Sequence, residues 1–96
     1  MNNRQILVVD DDVDAAEPLS ILFEMEGYRV LRAADGLQAL ETLKKVPSIV
    51  LVILDLNMPK MDGATLLRRM RQEARFARLP VIVVSAHSEN CLHTPP

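Results

Sequence analysis

The sequence predicts an α/β fold: a parallel sheet built from βαβ units, in one domain over residues 1–96. Short apolar runs of strand length alternate with stretches of helical periodicity along most of the chain. Two of the runs, Ile6–Val9 and Ile49–Leu54, lead directly into acids, Asp10-Asp11-Asp12 after the first and Asp55 after the second. If these runs lie side by side as parallel strands, Asp10, Asp11 and Asp55 emerge from the same edge of the sheet.

The elements follow in order. Strand β1 is expected at about 5–10 and helix α1 at about 14–26, with Leu19, Leu22 and Phe23 inward and Gly27 as the C-terminal cap. Pro18 sits inside the first turns if α1 starts there, where it removes a backbone hydrogen bond; a start nearer Glu17 puts it at the first helical position, where proline is favoured. Both readings stay open at this point. Strand β2 is expected at about 28–33, and α2 at about 36–46 with Leu37, Leu40 and Leu43 on one face. Strand β3 follows at about 49–54, and Met58-Pro59-Lys60-Met61-Asp62-Gly63 reads as a turn. Helix α3 is expected at about 63–75 with Leu66, Leu67 and Met70 inward, then β4 at about 81–85 and an irregular tail at 87–96. No internal repeat, low-complexity tract or interdomain linker interrupts this pattern.

Composition narrows the class. With 49% hydrophobic residues, a net charge of -2 and no apolar stretch long enough to cross a bilayer, the chain reads as a soluble domain without a membrane role. The N-terminus runs straight into a strand, so no secretory signal is expected. The single Cys91 cannot form an internal disulfide, which points to a reduced, cytoplasmic setting. Charge is uneven: five acids fall between Asp10 and Glu17, and five arginines between Arg68 and Arg78. The arginines lack aromatic interleaving and the total charge is acidic, so direct nucleic-acid binding is not expected; they read as the solvent face of α3, or as a docking surface for a protein partner. His87 and His93 have no partners at metal-ligand spacing, and Met58, Met61 and Met70 read as packing residues.

The acids carry the chemistry. Adjacent carboxylates repel, and each one's ionised form is disfavoured unless a cation or hydrogen-bond donors intervene. Mg2+ is the natural remedy, because it takes oxygen ligands and typically uses one or two carboxylates together with phosphate oxygens. A third carboxylate is then free to act as a nucleophile toward phosphorus. The blander alternative makes Asp10–Asp12 a solvated turn capping α1. The register of Asp55 and Asn57 favours the metal site.

The motifs together resemble the receiver domain of two-component response regulators. They are Val9-Asp10-Asp11, the Gly27-Tyr28 turn, Ala34-Asp35-Gly36, Leu54-Asp55-Leu56-Asn57-Met58-Pro59 with Asp62-Gly63, and Val83-Val84-Ser85-Ala86. Each is weak singly and strong in this order and spacing; the resemblance covers residues 5 to about 88. It implies a flavodoxin-like sheet of order 2-1-3-4-5 with the site at the switch point between β1 and β3. It further implies Asp55 as phosphoacceptor, Asp11 and Asp55 as carboxylate ligands of Mg2+, Asn57 as a ligand through its backbone carbonyl, and Asp10 as a contributor through metal-bound water. Ser85 becomes the switch hydroxyl, and Asp12 receives no ligand role. The donor implied is a sensor histidine kinase or phosphotransfer protein.

The chain also departs from the family. Only twelve residues follow Val84, too few for the further strands and helices of a receiver. Nothing matches the family's lysine on β5, and Lys60 lies in the wrong loop to replace it. The expectation is therefore order 2-1-3-4 without the fifth strand and last helix, impaired switching, and a dimer or higher oligomer formed through a β4 edge or a bared sheet face. Two other readings compete: a non-switching receiver-like interaction module, and a phosphatase of the haloacid dehalogenase type. The phosphatase family wants a second Asp two residues after its nucleophile, where this chain has Asn57.

Overall fold

The computed structural model describes residues 4–55 and 63–84. Strands β1 to β4 span Gln5–Val9, Arg29–Ala33, Ile49–Asp55 and Val81–Val84; helices α1 to α3 span Val13–Met25, Gly36–Lys45 and Gly63–Gln72. A short 3-10 turn, Ala74–Phe76, follows α3 where the longer helix was expected. All strand pairings are parallel and the order is β2-β1-β3-β4, the flavodoxin-like arrangement expected. Most of the expected turn from Met58 and the whole expected tail at 87–96 lie outside the described residues.

Right-handed crossovers put the helices on opposite faces. The step from β1 to β2 carries α1 across one face; the two steps in the other direction carry α2 and α3 across the second. Side-chain alternation along the central strands serves both faces. Leu7, Val52 and Leu54 pack with Leu40, Leu66 and Met70 beneath α2 and α3. Ile6, Val8 and Ile53 pack with Ala16 beneath α1, flanked by Leu19 and Phe23. Burial on both faces explains why β1 and β3 read as unbroken apolar runs. The β1–β3 register slips once between Gln5 and Ile6, which leaves Val50 without a partner on β1 and exposed.

The inward assignment of Leu22 and the placing of Leu37 on one face with Leu40 and Leu43 need correction. Leu22 is 59% exposed, because the buried stripe of α1 runs through Ala16, Ser20 and the half-buried Leu19 and Phe23, and residue 22 lies well round the helix from it. Ser20 tolerates burial because its hydroxyl donates to the Ala16 carbonyl at 2.9 Å. Leu37 is 52% exposed, since Gly36, Ala39, Leu40 and Leu43 form the buried face of α2. The Pro18 alternatives are also resolved: α1 begins at Val13, so Pro18 is interior.

The end of α1 shows how local chemistry steers the chain back into the sheet. Gly27 has φ 97°, a region other residues enter only at a steric cost. Its N–H donates to Glu24 O at 3.0 Å and the Tyr28 N–H to Phe23 O at 3.1 Å, the paired bonds of a Schellman motif. The Phe23 and Tyr28 rings meet edge to face at 6.2 Å across the same turn. β2 therefore starts immediately beside β1.

Candidate functional site at the carboxyl edge of the sheet

Parallel register carries the acids to one place. Val9 pairs with Leu54, so the next residues, Asp10 and Asp55, lie side by side where the two central strands end. The Asp10 N–H donates to Ala33 O at 3.0 Å, which extends the β1–β2 ladder by one residue and holds the start of the acidic loop. Asp55 is 3% exposed, Asp10 half-buried and Asp11 exposed. One carboxylate oxygen from each of these three residues lies within 4.8 Å of the others.

Such a cluster is electrostatically unfavourable by itself. Burial holds the Asp10 carboxyl above its ordinary value, and the charge of Asp55, a side-chain hydrogen bond shared with Asp55 and the charge of Asp11 push it further. The backbone N–H of Asp12, donated to Asp10 Oδ1 at 2.9 Å, works in the opposite direction. An all-oxygen set of carboxylate donors fits a hard divalent cation.

Asp12 departs from its neighbours. Its Oδ1 accepts the Asp14 N–H at 3.0 Å and its carbonyl accepts the Ala16 N–H at 3.2 Å, which makes it the N-cap of α1. The capping alternative thus describes Asp12, while Asp10 and Asp11 turn toward Asp55. Asp35 plays the corresponding part for α2: it accepts the Gln38 N–H at 2.9 Å, and Gln38 Oε1 accepts the Ala34 N–H at 2.9 Å. Beside the acidic loop, Arg32 of β2 pairs with Glu17 of α1. Asn57 and Ser85, both expected at the site, lie outside the described residues, as do Lys60 and the two histidines.

The basic cluster is partly structural. Arg71 Nη1 lies 3.0 Å from the carbonyls of Phe76, Ala77 and Leu79 and ties the loop between α3 and β4. Arg75 lies over the Phe76 ring at 4.9 Å and pairs with Glu73 at 3.3 Å. Neither role had a signal in the sequence beyond charge. Among the described residues, no helix is long and apolar enough to cross a membrane.

Residues 6–94 match the family model of the response regulator receiver domain. Sporulation initiation phosphotransferase F of Bacillus subtilis is 41% identical over 90 residues, covering 93% of this chain and 69% of that protein. The transcriptional regulatory protein CpxR homolog of Haemophilus influenzae is 40% identical over 86 residues, 90% of this chain and 36% of that protein. The chain thus spans little more than a third of the length of such regulators. A response regulator receiver protein from Pseudomonas putida superposes with a TM-score of 0.83 at 31% identity, over 94% of this chain and 74% of that one. Sheet order, the acids at the switch point and these matches agree, and the chain belongs to the response regulator receiver domain family.

Proposed function

We propose that the chain is a phosphoacceptor of two-component signalling that takes a phosphoryl group on Asp55 from a sensor histidine kinase or phosphotransfer protein. The convergence of Asp10, Asp11 and Asp55 within 4.8 Å carries this reading. Asp10, Asp11 and Asp55, with the Asn57 carbonyl, are the residues that would hold Mg2+. The chemistry supplied by bound Mg2+ is positive charge set against the phosphoryl oxygens. The chain's own part is positioning. An Asp55 carboxylate oxygen forms the bond to phosphorus as the P–N bond of the donor phosphohistidine breaks; the electron pair stays on the imidazole nitrogen, which takes up a proton. Burial of Asp55 at the end of β3 keeps its carboxylate in one place and limits competing water. Ser85 is proposed as the switch hydroxyl. The chain promotes its own modification in this reading and is not an enzyme acting on other molecules, and its setting is cytoplasmic.

Intact-mass measurement with acetyl phosphate and Mg2+ tests the proposal. The expected result is a single phosphoryl adduct that disappears in Asp55→Asn and on removing Mg2+; an adduct that persists in Asp55→Asn overturns Asp55 as the acceptor. The impaired switching expected from the sequence predicts a short-lived adduct in the same experiment, and a long-lived one argues against it.

One observation favours a second reading, an interaction module that associates without switching. Among the described residues β4 is an edge strand, and its Ile82, Val83 and Val84 are exposed and uncharged. Such an edge pairs readily with another chain. A concentration-dependent dimer in light scattering, unchanged by acetyl phosphate, supports this module; a monomer throughout rejects it.

A further inference from the structure

Asp12 stands next to the acids and outside their cluster, yet at least three hydrogen bonds pass through it. Its N–H is donated to Asp10 Oδ1 at 2.9 Å, its Oδ1 accepts from Asp14 N at 3.0 Å, and its carbonyl accepts from Ala16 N at 3.2 Å. The same residue therefore closes the first turn of α1 and holds one oxygen of the Asp10 carboxylate. Asp10 is anchored from the other side, by its own N–H on Ala33 O at 3.0 Å. The loop between strand and helix is fixed at both ends.

We propose that Asp12 is a positioning residue of the cation site, whose cap on α1 sets the backbone N–H that orients the Asp10 carboxylate. The assignment rests on reading Asp10, Asp11 and Asp55 as the Mg2+ site. Its physical basis is preorganisation. Repulsion among three carboxylates drives the loop to splay before any cation arrives, and a side chain free to rotate loses that freedom on binding. With the cap in place, Asp12 cannot swing its N–H away from Asp10 without also breaking the bond to Asp14 and freeing the first turn of the helix. Partners that orient a metal ligand typically change metal affinity 10–100-fold when removed.

The rival explanation is that Asp12 only caps the helix, and the fold contains a control for it. Asp35 caps α2 through Gln38 N at 2.9 Å in the same manner. In the contacts described above, its side chain orients no member of the acidic cluster.

Isothermal titration calorimetry of the full chain with MgCl2 at neutral pH, without phosphodonor, separates these explanations; urea midpoints are measured in parallel. Asp12→Ala is expected to weaken Mg2+ binding about tenfold. Asp12→Asn and Asp12→Ser keep an oxygen that caps, and are expected to bind within about twofold of wild type, the remainder reflecting one lost charge. Asp35→Ala is expected to lower the urea midpoint while Mg2+ affinity stays unchanged. If Asp12→Ala does not fold, Asp12→Gly replaces it, since glycine is the better tolerated cap residue. Asp12→Asn binding as poorly as Asp12→Ala would assign the effect to charge and overturn the proposal. Wild-type affinity in Asp12→Ala, or an equal loss in Asp35→Ala, overturns it as well. Absence of Mg2+ binding in every form, wild type included, removes the site reading and this inference with it.

Discussion

Two strand-to-helix junctions among the described residues at the carboxyl edge of the sheet use the same capping residue to opposite ends. Between β2 and α2, Ala34 and Asp35 form a closed junction: Asp35 is 6% exposed and accepts from Gln38 N, and Gln38 Oε1 accepts from Ala34 N. Between β1 and α1, Asp10, Asp11 and Asp12 form an open one, in which the cap is exposed and its backbone serves a neighbouring carboxylate. A hydrogen bond from Asp10 N to Ala33 O joins them. The difference teaches that the cap alone marks neither structure nor function; the residues between strand and cap do. Alanine leaves the junction uncharged, and two further acids make it part of an acidic cluster with Asp55.

Breaking the closed junction is expected to have the larger effect on stability. Asp35→Ala should cost about 2 kcal/mol, the upper part of the range for a lost N-cap, because the site is buried. Gln38→Ala should cost less, about 0.5 kcal/mol, because the Ala34 N–H it leaves is exposed and takes water instead. Urea unfolding measures both, and the comparison breaks if Asp12→Ala proves more damaging to stability than Asp35→Ala. The open junction responds with the opposite sign. The Asp10 carboxyl is raised above its ordinary value by burial first and by Asp55 and Asp11 next. A carboxyl raised on folding contributes stability that is present at low pH and lost as pH climbs through the folded-state value. Metal-free protein should therefore be more stable in Asp10→Asn than in wild type at neutral pH. That advantage should shrink as the pH falls into the carboxylate range and vanish near neutral pH when Mg2+ is added. Thermal melts across pH with chelator and with Mg2+ test this smallest effect, and a destabilised metal-free Asp10→Asn would reverse the account.

Much of this was legible in the sequence because the signals were local. Strand length, helical period and Gly27 placed every described strand and α-helix to within a few residues. Apolar identity was a poorer guide to facing. On α1 the buried place fell to Ser20, which satisfies its hydroxyl on Ala16 O, and Leu22 went to solvent. On α2 the small Ala39 allows close approach to the sheet while Leu37 points away. The proximity of Asp10, Asp11 and Asp55 was foreseeable from two runs ending in acids, because parallel pairing leaves little choice of edge. The second task of Asp12 was not foreseeable, since a backbone N–H leaves no mark on residue identity. Nor was the three-carbonyl grip of Arg71, which depends on a 3-10 turn after α3 that the helical pattern runs straight through.

The pairing of Val9 with Leu54 has a consequence for how errors in folding are tolerated. Because side chains alternate, sliding β3 by a single position would turn Ile53 and Leu54 to the wrong faces and lift Asp55 out of reach of Asp10 in the same movement. A misaligned molecule would turn apolar side chains to water and lose its acidic cluster in the same step. The geometry of the acidic cluster is in that sense inherited from the hydrophobic interior.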